Sequence, residues 1–314
     1  MKKISIVSPC YNEEDNVEEV YAQVKAIFAQ LPRYQYEHIF IDNCSEDKTV
    51  PILKKIAAKD KNIKIIINTR NFGHLRSPMY GYFQATGDAV ISVVSDLQDP
   101  PNKIREFLEA WEAGWKIVVA VKAKTNESFV MTRVRSLYYW LVTKIANIKL
   151  VKHFTGFGLY DRVVIEALRE MGDVYPYFRG AICDVGYPIK EIPFEQPRRK
   201  RGITKNNFYT LLDLAMLGLT NHSKVPIRLA TLFGSFLGAL SLISAFIVFI
   251  LKLIFWNHFS IGIAPIMITL FFFFSAQLFF LGIIGEYVAS IHTQVMRRPL
   301  VYVAEKVNFD HEET

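Results

Sequence analysis

Two uncharged apolar runs near the C-terminus constrain this chain most. Residues 229–251 give 23 consecutive uncharged residues and 259–285 give 27, and only Lys252 and His258 bring a charged or titratable side chain into the gap. A bilayer core needs about 20 apolar residues per helix, and neither run keeps the polar face of a packing helix in a soluble protein. The pattern reads as a membrane hairpin with spans near 229–251 and 261–285. Arg198, Arg199, Lys200, Arg201, Lys205, Lys224 and Arg228 precede it, and Arg297 and Arg298 follow it. Positive charge on both outer flanks places both chain ends in the cytoplasm and the connecting loop outside. Trp256 and Tyr287 stand where interfacial anchors occur. The expected organisation is a cytoplasmic domain over 1–205, a juxtamembrane segment over 206–228, the hairpin over 229–288 and a cytoplasmic tail over 289–314. Phe208, Leu211, Leu212, Leu214 and Leu217 fit an amphipathic surface helix and an ordinary packing helix alike.

Upstream the pattern changes. Short β-branched runs at 4–8, 38–42, 63–68, 89–94 and 117–121 alternate with helical periodicity. One helix carries Val17, Val20, Tyr21, Val24, Ile27, Phe28 and Leu31, another Ile104, Phe107, Leu108 and Trp111, at spacings of three and four. This order predicts an α/β domain with a mostly parallel sheet and helices on both faces. Three cysteines without a Cys-x-x-Cys pair fit a reducing compartment and no structural zinc site. Pro9 and the acidic Glu13-Glu14-Asp15 interrupt the N-terminus too early for a signal peptide, so it reads as a first strand.

In open parallel sheets ligands gather at the carboxyl ends of strands. Here the first strand ends in Pro9-Cys10-Tyr11-Asn12-Glu13-Glu14 and the second in Asp42-Asn43-Cys44-Ser45-Glu46-Asp47-Lys48-Thr49. The fourth ends in Ser95-Asp96-Leu97-Gln98-Asp99-Pro100-Pro101. Acceptors thus converge on one rim. Gly-x-Gly-x-x-Gly does not follow the first strand and the Walker lysine motif is missing, which excludes the usual dinucleotide and P-loop sites.

These segments, with Arg70-Asn71-Phe72-Gly73, Gly81, Gly87-Asp88, Arg179-Gly180, Arg199-x-x-Gly202-x-Thr204-Lys205, Gly282-Ile283-Ile284-Gly285-Glu286-Tyr287 and Arg298-Pro299, occur in an order that resembles glycosyltransferase family 2. The resemblance is to its polyprenyl-phosphate branch, which includes dolichol-phosphate mannose synthase and bactoprenol glucosyltransferases, and it spans nearly the whole chain. It implies a GT-A fold, a nucleotide-sugar donor and a polyprenyl-phosphate acceptor. It also implies a nucleotide site formed by Pro9, Tyr11, Asn12, Glu13, Asp42 and Ser95, in which Asp42 accepts a pyrimidine N–H and Tyr11, Asn12 and Glu13 close over base and ribose. Asp42 fits helix capping as well. Asp96 and Gln98 are the implied ligands of a divalent cation, Mg2+ or Mn2+, completed by the diphosphate and water. Asp99 beside Pro100 fits a turn and helix start as well as a direct role.

Three positions depart from the family pattern. Val94 stands where many members carry the first acid of Asp-x-Asp, and Asn43 where a second aspartate is common. Thr155-Gly156-Phe157-Gly158-Leu159-Tyr160 has glycine where relatives place an aspartate proposed as base. A polyprenyl phosphate brings its own ionised oxygen, since the second pKa of a phosphate monoester is about 6, so it can attack without a protein base. The reaction then needs cations for two neighbouring phosphates. Arg179, Arg199, Arg201 and Lys205 are the candidates: Arg179, Arg199 and Lys205 join Asp96 as the expected catalytic groups, Arg199, Arg201 and Lys205 hold the acceptor phosphate, and Arg198 and Lys200 are left to topology.

The expected activity is inverting transfer of glucose from UDP-glucose to undecaprenyl phosphate at the cytoplasmic face of the inner membrane. A mannose or aminoarabinose transferase of the same branch and an inactive membrane scaffold stay open as alternatives. Gly234, Gly238 and Ala239 permit close helix packing, and the resemblance suggests a homo-oligomer. The net charge is a modest +7, and the basic cluster adjoins the membrane segments without the interleaved aromatics of a base-stacking surface, so no nucleic-acid partner is expected.

Overall fold

A computed structural model describes residues 1–123, 151, 153–197, 223, 225–255 and 263–309. Its centre is β1 (Lys2–Cys10), flanked by β2 (Tyr34–Asp42) and β4 (Ala89–Ser92), with β3 (Ile63–Asn68) beyond β2, all parallel. β6 (Phe154–Asp161) runs antiparallel to both β4 and β5 (Ile117–Lys122), and β7 (Ile189–Phe194) lies parallel to β5. At the other edge β8 (Val303–Val307) pairs antiparallel with β3, giving the order β7-β5-β6-β4-β1-β2-β3-β8. The five expected strands are present and lie in one sheet. β6, β7 and β8 are additions that make it mixed.

The sheet is buried from both sides, which explains the near-continuous apolar runs of its central strands. Strand alternation sends Ile4 and Ile6 to one face, where Phe107, Leu108 and Trp111 of α4 (Ile104–Glu112) cover them with Val24 and Phe28 of α1 (Val17–Ala29). Val7, Ile39 and Ile41 face the other way, against Met79 and Tyr82 of α3 (Gly73–Gln84) and Val164, Ile165 and Leu168 of α5 (Arg162–Met171). α2 (Thr49–Lys59) buries Leu53, Ile56 and Ala57 against Phe40 and Ile65. Gly81 is where α3 crosses the sheet: a Cβ there would lie 2.8 Å from Val7 Cγ1, so only glycine permits this approach. That contact sets the N-terminal end of α3 over the rim of the sheet.

After β7 come α7 (Val225–Ile254) and α8 (Ile263–Val295), which are in contact with each other. Val225–Leu251 and Thr269–Val295 are long and apolar enough to cross a membrane, and neither stretch is buried in the protein. The second stretch extends beyond the 285 expected from sequence. The segment expected as a tail supplies β8, and Lys54 pairs with Glu305 at 2.6 Å across that edge. The amphipathic segment at 206–219 and the loop holding Trp256 and His258 lie outside the described residues.

Candidate active site

β1 and β2 end side by side, with Cys10 opposite Asp42 in register. The loops that follow are stitched together. Asn12 and Cys44 take left-handed φ values of 56° and 65°, turning both loops so that the backbone N–H of Asn12 donates to Ser45 Oγ at 2.8 Å and that of Glu46 donates to Asn12 Oδ1 at 2.9 Å. Further along, Glu13 N–H donates to Thr49 Oγ1, Glu14 N–H to Asp47 Oδ2 and Lys48 N–H to Glu14 Oε2. Asp42 is buried and accepts from both the backbone N–H and the hydroxyl of Ser45. It therefore holds a turn rather than capping α2, whose first residue is Thr49. Burial outweighs those bonds and raises its pKa.

Beyond β4 the chain turns through Leu97 at φ 58°. The N–H of Gln98 donates to Asp96 Oδ1 at 3.1 Å, an Asx turn that fixes the Asp96 carboxylate on a partly exposed loop. Ser95 is buried, and its Oγ has no hydrogen-bond partner among the described residues. Asp99 is 3% exposed. The loss of water, and then the Asp96 charge, push its carboxyl up to about 7, with Val94 N–H at 3.5 Å from Oδ2 as a weak donor. Asp99 thus sits behind Asp96. The 3-10 turn that leads into α4 (Pro101–Lys103) has no side-chain cap.

A pocket of about 500 Å³ opens beside these loops, between the ends of β1 and β4, the start of α3, and α6 (Phe178–Asp184). Its floor and walls include Pro9, Tyr11, Val94, Gly156, Tyr82 and Met79. Tyr82 and Tyr160 pack on Phe178 with ring centroids 5.1 Å apart in each case, and the Tyr160 hydroxyl donates to Gly156 O at 2.8 Å. Gly156 has φ 105°, a conformation that side-chain-bearing residues rarely adopt, so this backbone disfavours an aspartate there. Arg179 and His74 also line the pocket, and no carboxylate does so among the described residues.

The loop before α3 is pinned by Asn43. Its amide donates to Asn71 Oδ1 at 2.9 Å and Gly73 O at 3.2 Å, while its carbonyl accepts from Phe72 N–H at 2.9 Å and Asn68 Nδ2 at 3.2 Å. Asn43 uses both ends of its amide in this way, whereas a carboxylate would lose the two donations.

Of the residues named from sequence, Pro9, Cys10, Tyr11, Asn71, Gly73, Thr155 and Arg179 meet in the pocket, together with the three departures Asn43, Val94 and Gly156. Asn12, Glu13, Asp42, Ser95, Asp96 and Gln98 occupy the adjoining loops rather than the pocket lining. Arg199, Arg201 and Lys205 lie outside the described residues. Sequence reasoning passed over His74, Ser77 and Tyr82 of α3. The signal that could have found them is Arg70-Asn71-Phe72-Gly73, which leads directly into that helix.

The mixed α/β sheet thus gathers acceptor-rich loops over the ends of β1, β2 and β4. The chain belongs to the glycosyl transferase family 2, whose profile matches residues 5–168. It is 33% identical over 304 residues to an uncharacterized glycosyltransferase of Synechocystis, covering 96% of this chain and 95% of that one. A prophage-derived bactoprenol glucosyl transferase of Shigella flexneri is 31% identical over 305 residues, 97% of this chain and 98% of the relative. Among solved structures, glucosyl-3-phosphoglycerate synthase from Mycobacterium tuberculosis, in complex with Mn2+, uridine diphosphate and phosphoglyceric acid, is similar at a TM-score of 0.49 and 18% identity, covering 70% of this chain and 76% of that one.

Proposed function

We propose that the chain transfers glucose from UDP-glucose to undecaprenyl phosphate, with inversion, at the cytoplasmic face of the inner membrane. The observation that carries this reading is the pocket lining: one guanidinium, one imidazole and no carboxylate among the described residues. A hydroxyl acceptor would need a base there. A phosphate monoester does not, because most of it is doubly ionised above its second pKa of about 6. The bactoprenol glucosyl transferase names of relatives matched over nearly their full length support the same acceptor.

In this reading a phosphate oxygen of the lipid attacks the anomeric carbon, the bond from that carbon to the diphosphate oxygen breaks, and uridine diphosphate leaves from the opposite side. The stitched loops at Asn12 and Ser45 shape the nucleotide end, with Tyr11 at the pocket edge and Asp42 behind. Arg179 holds phosphate charge from the α6 side, and Arg199, Arg201 and Lys205, which precede the membrane segments in the chain, share that role. Asp96 and Gln98 offer hard oxygen donors on a loop fixed by the Asx turn, which fits Mg2+ or Mn2+. Such an ion, when bound, neutralises the leaving diphosphate. Residues 1–205 form the cytoplasmic domain, and α7 and α8 span the bilayer.

The test uses membranes carrying the full chain, labelled UDP-glucose and added undecaprenyl phosphate. Label should enter the organic phase with wild type and be nearly abolished with Asp96→Asn, which keeps the side-chain size but removes the charge. Equal incorporation by both would reject the assignment of Asp96.

A further inference from the structure

Two motifs noted in the sequence, Arg70-Asn71-Phe72-Gly73 and Arg298-Pro299, have no part in the pocket chemistry beyond Asn71 and Gly73. They are 225 or more residues apart in the chain, yet the fold brings them together. α8 ends at Val295, Arg297 turns the chain with φ 45°, and the segment after it leads into β8. On that path Tyr302 O accepts from Thr69 N–H at 2.9 Å, Pro299 O accepts from Arg76 Nη2 at 2.5 Å, and the Tyr302 ring lies 6.1 Å from Phe72. Arg70 and Arg76 both lie over the Phe72 ring, at 4.1 and 5.3 Å from its centroid.

The result is a concentration of positive charge with no paired carboxylate among the described residues. Burial, then the Arg70 charge and further the Arg298 charge, hold the Arg76 pKa below its ordinary value. Among the described residues no carboxylate forms an ion pair with Arg70, Arg76 or Arg298. Arg76 Nε is buried without a hydrogen-bond partner among the described residues. Like charges held this close, with a buried donor unsatisfied, are costly in an isolated protein and favourable once an anion sits among them. Guanidinium forks suit phosphate oxygens.

The position of the cluster selects the anion. Arg298 lies three residues beyond the last residue of the apolar stretch Thr269–Val295. Val174 N–H donates to Gln294 Oε1 at 3.2 Å, holding the catalytic domain against the last turn of the same helix. A chain that leaves the bilayer there does so at headgroup depth, where anionic lipids concentrate.

We propose that Arg70, Arg76 and Arg298 form a binding site for the phosphate of an anionic membrane lipid, separate from the catalytic pocket. The site rests on the reading of α7 and α8 as membrane spans. It goes beyond a topology signal, because Arg70 and Arg76 belong to the catalytic domain and reach the membrane exit only through the pairing of β3 with β8. A lipid bound there clamps the loop before α3 to the bilayer surface and fixes the height of the pocket above it.

The experiment places the full chain in liposomes of phosphatidylcholine with phosphatidylglycerol, releases it in mild detergent and measures retained phosphatidylglycerol by native mass spectrometry. Wild type should retain it, and Arg76→Gln and Arg298→Gln should each weaken retention by about tenfold, the scale of one charge-assisted contact. Arg33→Gln, at a guanidinium that pairs with Glu112 and lies over the Tyr34 ring, should retain it as wild type does. Arg298→Gln leaves the Arg76 bond to Pro299 intact, so it remains informative if Arg76→Gln fails to fold. Equal retention by Arg298→Gln and wild type would overturn the site. Full displacement by an equal concentration of inorganic phosphate would assign the cluster to free phosphate and overturn the lipid. A wild-type chain that does not enter liposomes at all overturns the membrane reading and this site with it, whereas entry with headgroup-independent behaviour overturns the site alone.

Discussion

Asn12 and Ser45 hold two separate strand ends together: the N–H of Asn12 donates to Ser45 Oγ at 2.8 Å, and that hydroxyl in turn donates to the buried Asp42 at 2.5 Å. One hydroxyl thus serves as acceptor for the first loop and donor for the second. Ser45→Ala should remove both bonds and leave Asp42 Oδ1 to the weak Cys10 thiol contact at 3.8 Å, at about 1–2 kcal/mol. Chemical denaturation should report that loss, and titration with UDP should show weaker binding. Unchanged nucleotide affinity would separate this stitch from the donor site.

Asn43→Asp tests whether the amide is structural. The substituted oxygen would face Asn71 Oδ1 and Gly73 O, both acceptors, at positions now 2.9 and 3.2 Å from an NH2 group. The variant should lose about 1–3 kcal/mol, and the loss should grow as the pH rises and the carboxyl ionises. Thermal midpoints across pH check this, and a variant as stable as wild type at every pH would contradict the network.

Much of the sheet was legible because its central strands are buried on both faces and read as continuous β-branched runs. β6 was not, since Gly156 and Gly158 interrupt it. At Gly158 a Cβ would lie 2.4 Å from Val118 O, so the close approach of β5 and not strand propensity dictates the residue. β7 carries Pro193 and β8 is a short strand with Glu305 and Lys306 side by side on an exposed edge, patterns that also suit loops. The acceptor-rich loops after β1, β2 and β4 were legible as candidate ligand loops from the rule that ligands gather at strand ends. The pocket was only half legible, because His74 and Tyr82 come from α3, where Pro78 weakens the periodicity and the close contact at Gly81 decides the placement.

Asp99 gives a pH prediction. Its folded pKa of about 7 lies above the unfolded value near 3.9, so the native state holds the extra proton between them. Stability should therefore fall as pH rises from about 4 to about 7, by up to about 4 kcal/mol in total. Asp99→Asn should remove that slope, matching wild type near pH 4 and exceeding it near pH 8. Denaturation in metal-free buffer at the two pH values measures it, and equal slopes would contradict the assignment.

The cations of 199–205 carry the acceptor half of the account. Arg199→Ala and Lys205→Ala should each reduce transfer by roughly tenfold to a hundredfold, the scale of a charge-assisted hydrogen bond that tightens in the transition state. Lys200→Ala should behave as wild type. Transfer normalised to membrane-inserted protein makes the comparison, and equal losses for all three would reduce the segment to an anchor.

The most direct measurement is product analysis. Purified full-length chain is incubated with undecaprenyl phosphate, Mg2+ and a pool of nucleotide sugars, and the lipid fraction is read by mass spectrometry. The account predicts a single new species, undecaprenyl phosphate plus one hexose, formed from UDP-glucose when donors are supplied one at a time. Recovery of unmodified undecaprenyl phosphate alone, from protein that retains UDP binding, would contradict it.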